Sequence, residues 1–321
     1  MRPALPDAVR GAAMLAFVLL GAPAAACSPA DWKACAGRPW VVGDVMETPL
    51  GERWWPHPVW GADDRAGATN WHARPEVVQR GLAEARTGRV YRLAPATGPA
   101  PRFEGPGRMV VALASASPEP SAASSAASSA SSSAASATGA TATAVRGYNG
   151  AVAPDEAAMS RLHPVLARGF LLDIAAARGV PALEPGQEVT LADVREALSR
   201  QGLAGVRLLP GDAVLFRTGW KRPAGEGADA AQPAPGIGVE VARWLTDTVQ
   251  AGLVGSDTPR TEVVPASDAG CGACVRAHLL VRHGVPVQDG LDLDRLAADA
   301  AWRFLYVAGA AAGTAAPLAL R

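Results

Sequence analysis

The sequence predicts an α/β fold: a mixed sheet flanked by helices. Short apolar runs of strand length recur at 169–174, 213–217, 253–256 and 303–308. Stretches with apolar residues at helical spacing lie between them, as at Val241, Leu245 and Thr248. Turn residues such as Pro210, Gly211 and Asp212 punctuate the alternation. Strand, helix, strand, helix, strand is the order of an α/β sheet.

Each element has a local reason. The run 169–174 is apolar throughout, fit for a buried strand. Thr190 is a good N-cap for a helix over 191–201, with Asp193 at the third position and Gly202 past the end. The run 213–217 is a second strand and 239–249 a second helix. The run 253–256 is a third strand, 275–282 a helix, 296–299 a short helix, and 303–308 the final strand. No glycine-rich phosphate loop of the Walker or dinucleotide type occurs.

The chain has 321 residues, 49% apolar and 19% charged, enough for a sizeable core. Thirty basic residues balance thirty acidic ones, so no electrostatic footprint for nucleic acid exists. Residues 1–26 read as an export signal: Arg2 and Arg10, an apolar run over 12–21, then Ala24, Ala25 and Ala26. This predicts a periplasmic or secreted product with no transmembrane segment in the mature chain. Cleavage before Cys27 would also suit a lipid anchor there. Residues 27–104 and 148–321 read as two parts of one domain. Between them, 105–147 is low-complexity, and positions 121–144 contain only Ser, Ala, Thr and Gly. Such a stretch buries too little apolar surface to offset its ordering entropy, so it is expected to be a disordered insertion. An Ala-rich helix and a stretch read out of frame are the alternatives. Export makes Cys27, Cys35, Cys271 and Cys274 candidates for disulfides. The Cys271–Cys274 spacing also admits a redox or zinc reading. The run around Trp55, His57 and Trp60 could wall a substrate pocket or a dimer contact.

A series of motifs carries a family resemblance. Trp60, Gly61, Asp64, Gly67 and Asn70 match a WGxxDxxGxxN pattern. Thr87, Gly88 and Tyr91 follow as TGxxY, then Tyr148-Asn149-Gly150. Arg168 to Asp173, Pro210-Gly211-Asp212, Arg217-Thr218-Gly219-Trp220 and Gly255-Ser256-Asp257-Thr258 continue in order. The chain resembles the cyclase family, metal-dependent hydrolases that include bacterial kynurenine formamidase. The resemblance implies a swivelling β/β/α-type domain, a homodimer or homotetramer, and a zinc or manganese ion. It implies hydrolysis of a small amide, ester or lactone, with arylformamidase-like chemistry. The alternative is a catalytically inactive exported binding or oligomerising protein on the same fold.

The family's first metal motif falls between Tyr91 and Tyr148, where this sequence has no His and no Asp. Its later His position falls on Arg276, and its later Glu position on Asp289. His278 and Asp289 are therefore the expected metal ligands. On an α-helix His278 stands about 200° around from Arg276. His283, next to Gly284 at a helix end, reads as structural. Glu104 stands in no matching pattern, and Asp257 reads equally as a site residue or a turn residue.

Overall fold

In the computed structural model, the described residues are 57, 59–61, 63–95, 100–106, 110–113, 144–150, 162–221, 232–266, 274–309 and 317–321. The expected signal, Cys27, Cys35, Trp55 and Cys271 lie outside them. The strands in chain order are β1 (Val90–Arg92), β2 (Arg102–Glu104), β3 (Val110–Leu113), β4 (Ala144–Gly147), β5 (Val165–Asp173) and β6 (Glu188–Val189). There follow β7 (Ala213–Arg217), β8 (Gly236–Ile237), β9 (Leu253–Ser256), β10 (Val287–Asp289), β11 (Arg303–Ala308) and β12 (Leu318–Leu320).

Eight of these form one mixed sheet in the order β1-β12-β11-β5-β7-β9-β10-β2. The centre, β5-β7-β9-β10, is parallel. The flanking pairs are antiparallel. Alternation sorts the central side chains onto two faces. Leu172, Val214, Phe216, Val254 and Val287 enter a core covered by helices Leu191–Arg200 and Val239–Arg243 and by 274–282. Ala167, Leu171, Ala213, Leu215 and Leu253 enter the other, with Val77, Leu296, Phe304 and Tyr306. Gly169 on β5 is required by contact: a Cβ there would lie 2.3 Å from the Phe304 ring.

The sequence-derived elements recur with three differences. The strand at 169–174 begins earlier, at Val165, and Ile174 already belongs to the short helix Ile174–Arg178. The run 303–308 is not the last strand, because β12 pairs with it antiparallel. The helices at 239–249 and 275–282 each change pitch midway. Val239–Arg243 is α and Trp244–Val249 is π; Cys274–Arg276 is α and Ala277–Arg282 is π. The ends of the low-complexity segment, β3 and β4, pair as a two-stranded antiparallel sheet. Residues 114–143 lie outside the described ones. Among the described residues no helix is long and apolar enough to cross a membrane. Cys274 is disulfide-bonded, to a partner outside the described residues.

Candidate functional site

Two polar clusters flank the helix that starts at Cys274. The first is built by the π-turns. In an α-helix, residues five apart stand about 140° apart around the axis. The π-turn instead closes an i to i+5 hydrogen bond, and the His283 N–H donates to the His278 carbonyl at 3.1 Å. The two rings then meet, with centroids 4.5 Å apart. Facing them is the second π-turn, which presents Thr246 and Asp247. His278 Nε2 lies 2.9 Å from Thr246 Oγ1. One ligand atom each from Asp247, His278 and His283 lies within 4.8 Å of the other two.

Thr246, Asp247 and His283 line a cleft of about 550 Å³, counting its open mouth, and His278 is buried. His57, Trp60, Trp71, Asp247, Gln250 and His283 are among its walls. The aromatic wall comes from the WGxxDxxGxxN segment, and its motif residues explain its position. Asp64 accepts from the Gly67 N–H, the Asn70 amide and the Tyr148 hydroxyl, each at 2.7 Å. Gly67 has φ +58°, and a Cβ there would lie 2.3 Å from the Gly284 carbonyl oxygen. The motif therefore clamps residues 63–73 against Tyr148 and Gly284, beside His283.

His57 is held from every side. Its Nδ1 accepts from the Val59 and Trp60 N–H groups, each at 3.1 Å. Its backbone N–H donates to Asn149 Oδ1 at 3.0 Å, and its ring hydrogen-bonds the His283 backbone. Burial, with Arg282 nearby, lowers its pKa to about 4, against the opposing pull of Asp64. Burial, reinforced by His278, Arg282 and His57, likewise holds His283 well below the usual imidazole range. The lowering at His283 favours neutral imidazole, the form that ligates a metal.

The second cluster lies at the carboxyl ends of β9 and β10. Arg276 is buried and reaches three carboxylates. Its Nη1 donates to Asp289 Oδ2 at 3.0 Å, its Nη2 donates to Glu104, and its backbone N–H donates to Glu262 Oε2 at 3.3 Å. Asp289 also accepts from Thr261 N and Oγ1, at 2.9 and 2.7 Å. Asp257, close by in the chain, serves the RTG turn: it accepts from the Thr218 N–H and hydroxyl and the Gly219 N–H.

The expected ligand pair is thus split. His278 joins His283 and Asp247, whereas Asp289 is engaged by Arg276 and Thr261. His283, read as structural, stands in the first cluster. His57 and Trp60 do line the cleft, and Trp55 lies outside the described residues. Asp247 was missed because no motif marks it. Glu104 finds its role only through a contact 172 positions away in the chain.

The donor sets decide which cluster suits a divalent ion. Two imidazoles and a carboxylate are the residue types that would hold a catalytic zinc or manganese ion. At Arg276 and Asp289 a metal does not fit, because a fixed guanidinium already neutralises the carboxylates.

The family model described as "Putative cyclase" matches residues 99–263, just over half of the chain. No curated protein matches. Among solved structures, a novel cyclase is 22% identical, covering 82% of this chain and 96% of its own, with a TM-score of 0.56. Isatin hydrolase A from Labrenzia aggregata, bound to benzyl benzoate, is 22% identical. That match covers 48% of this chain and 60% of its own, with a TM-score of 0.36. A predicted metal-dependent hydrolase from Bacillus stearothermophilus is 20% identical, covering 48% and 63%, with a TM-score of 0.30.

Proposed function

We propose, from the premise that this chain belongs to the cyclase family, that it is a metal-dependent hydrolase of a small amide, ester or lactone. The observation that carries the reading is the Asp247, His278 and His283 trio at the cleft. A divalent ion held there would polarise a substrate carbonyl and acidify a bound water. The chain's own residues do the rest. Thr246 fixes the His278 ring. His57 acts as a positioning residue through its bond to the His283 backbone. Trp60 and Trp71, with centroids 5.0 Å apart, offer apolar surface to a flat substrate. On this reading the enzyme is exported, which the leader-like segment supports, and a homodimer or homotetramer, which the family resemblance supports. The resemblance also favours arylformamidase-like substrates.

A second reading has its own support. Arg276 stands where the resemblance puts the family's later His, which favours a binding or oligomerising protein without hydrolysis.

The test is turnover of a formanilide, a phenyl ester and an aryl lactone by the full chain loaded with zinc or manganese. The hydrolase reading expects turnover that EDTA abolishes and that Asp247→Asn lowers at least 100-fold with the fold unchanged by circular dichroism. Rates equal to buffer for all three substrates in both metal forms would favour the second reading.

A further inference from the structure

We infer that Arg276 is the resident cation of a buried carboxylate nest, standing where a divalent ion would otherwise sit. The nest is thereby closed to metal in the native chain. Side-chain exposure is 7% for Arg276, 2% for Asp289, 3% for Glu262 and 21% for Glu104. Three carboxylates this close and this buried cannot all stay ionised without a cation among them. Arg260 supplies part of the charge from the side, its Nη2 2.5 Å from Glu262 Oε1. Arg276 supplies the centre: it is the group that touches all three.

The geometry suits a fork. Two guanidinium nitrogens serve Asp289 and Glu104, and the backbone N–H serves Glu262. The contact ties β2, from the amino-terminal part, to β10 and the Cys274 helix. Burial raises the pKa of Asp289 and of Glu262, and Arg276 and its neighbours oppose that rise. Without the Arg276 guanidinium, Asp289, Glu104 and the Glu262 oxygen that Arg260 does not hold present oxygen donors, the set that hard cations such as Mn²⁺ take. The His trio on the other side of the helix offers nitrogen and is a separate position, so the inference goes beyond the proposed hydrolase site.

The experiment uses the full chain carrying His278→Ala and His283→Ala, which disables the trio. Isothermal titration with Mn²⁺ should show no binding while Arg276 is present. Adding Arg276→Ala should create one site per chain, with an affinity at least tenfold above the detection limit at which the Arg276 background shows none. Adding Asp289→Asn should remove it again. Should Arg276→Ala not fold in EDTA, recovery of soluble chain on refolding with Mn²⁺ is the same result, and Arg276→Gln repeats the test with less loss of packing. Absence of any Mn²⁺ gain or rescue in both variants, or Mn²⁺ bound at Asp289 with Arg276 in place, would overturn the inference.

Discussion

The His283 backbone N–H donates to the His278 carbonyl at 3.1 Å, and this one i to i+5 bond sets two imidazoles side by side. With α pitch they would diverge. The same bond pattern in the facing turn, Gln250 N–H to the Leu245 carbonyl, brings Asp247 to meet them. π-turns of this kind concentrate at functional sites.

His57 hydrogen-bonds the backbone of His283, one of the three proposed ligands. Outer partners of metal-bound histidines typically tune affinity 10- to 100-fold. His57→Phe should therefore weaken Zn²⁺ binding by about that factor, measured by competition with a chelating dye. Unchanged affinity would remove His57 from a positioning role.

Asp212 is fully buried between Arg168, whose Nη2 lies 2.6 Å away, and Arg80. It also accepts from the Leu209 N–H at 2.7 Å. Removing one partner leaves buried guanidinium charge uncompensated, which costs about 3–5 kcal/mol. Asp212→Ala should lower urea-derived stability by that order. A loss below about 1 kcal/mol would contradict it.

These pairs show what was legible in the sequence. Arg168 with Asp212, Arg217 with Asp173, and Thr218 with Asp257 are motif residues, and each pair holds one strand end of the sheet. Motif order therefore conveyed the fold. The capped helix over 191–201 was readable because Thr190 and Asp193 form a capping box within four residues. The candidate site was readable only in part. A periodicity search assumes 3.6 residues per turn, so it placed His278 on one face and could not bring His283 to it. Asp247 and Glu104 act through contacts distant in sequence, and β2, β10 and β12, of three residues each, carry too little pattern to stand out.

The capping box makes a pH prediction. Burial would raise the Asp193 pKa, but hydrogen bonds from Arg178 and Thr190 overcome it and hold the carboxyl at about 2. The folded value lies below the ordinary one, so its stabilisation is present above pH 4 and lost as pH falls toward 2. Solvent screens this partly exposed pair, so Asp193→Asn should remove only about 1 kcal/mol at pH 7 and flatten stability between pH 4 and 2. Parallel curves for variant and parent would contradict this.

His72 acts in a higher window. Burial lowers its pKa to about 4, while the Gly211 carbonyl pulls the other way. Its Nε2 lies 3.2 Å from that carbonyl oxygen, and its Nδ1 has no hydrogen-bond partner among the described residues. The folded ring resists protonation, so stability should fall as pH drops from about 6.5 to about 4, by roughly 3 kcal/mol. His72→Gln keeps the donor and should remove that slope. A slope retained in the variant would assign it to other groups.

On the proposed function, Asp247, His278 and His283 hold one divalent ion. Cobalt reports its ligands directly, through visible absorption that depends on nitrogen and oxygen coordination. The cobalt-loaded chain should show such bands at one ion per chain, and His278→Ala and His283→Ala should each abolish them with far-ultraviolet circular dichroism unchanged. Bands that persist in both variants would place the ion elsewhere and contradict the account.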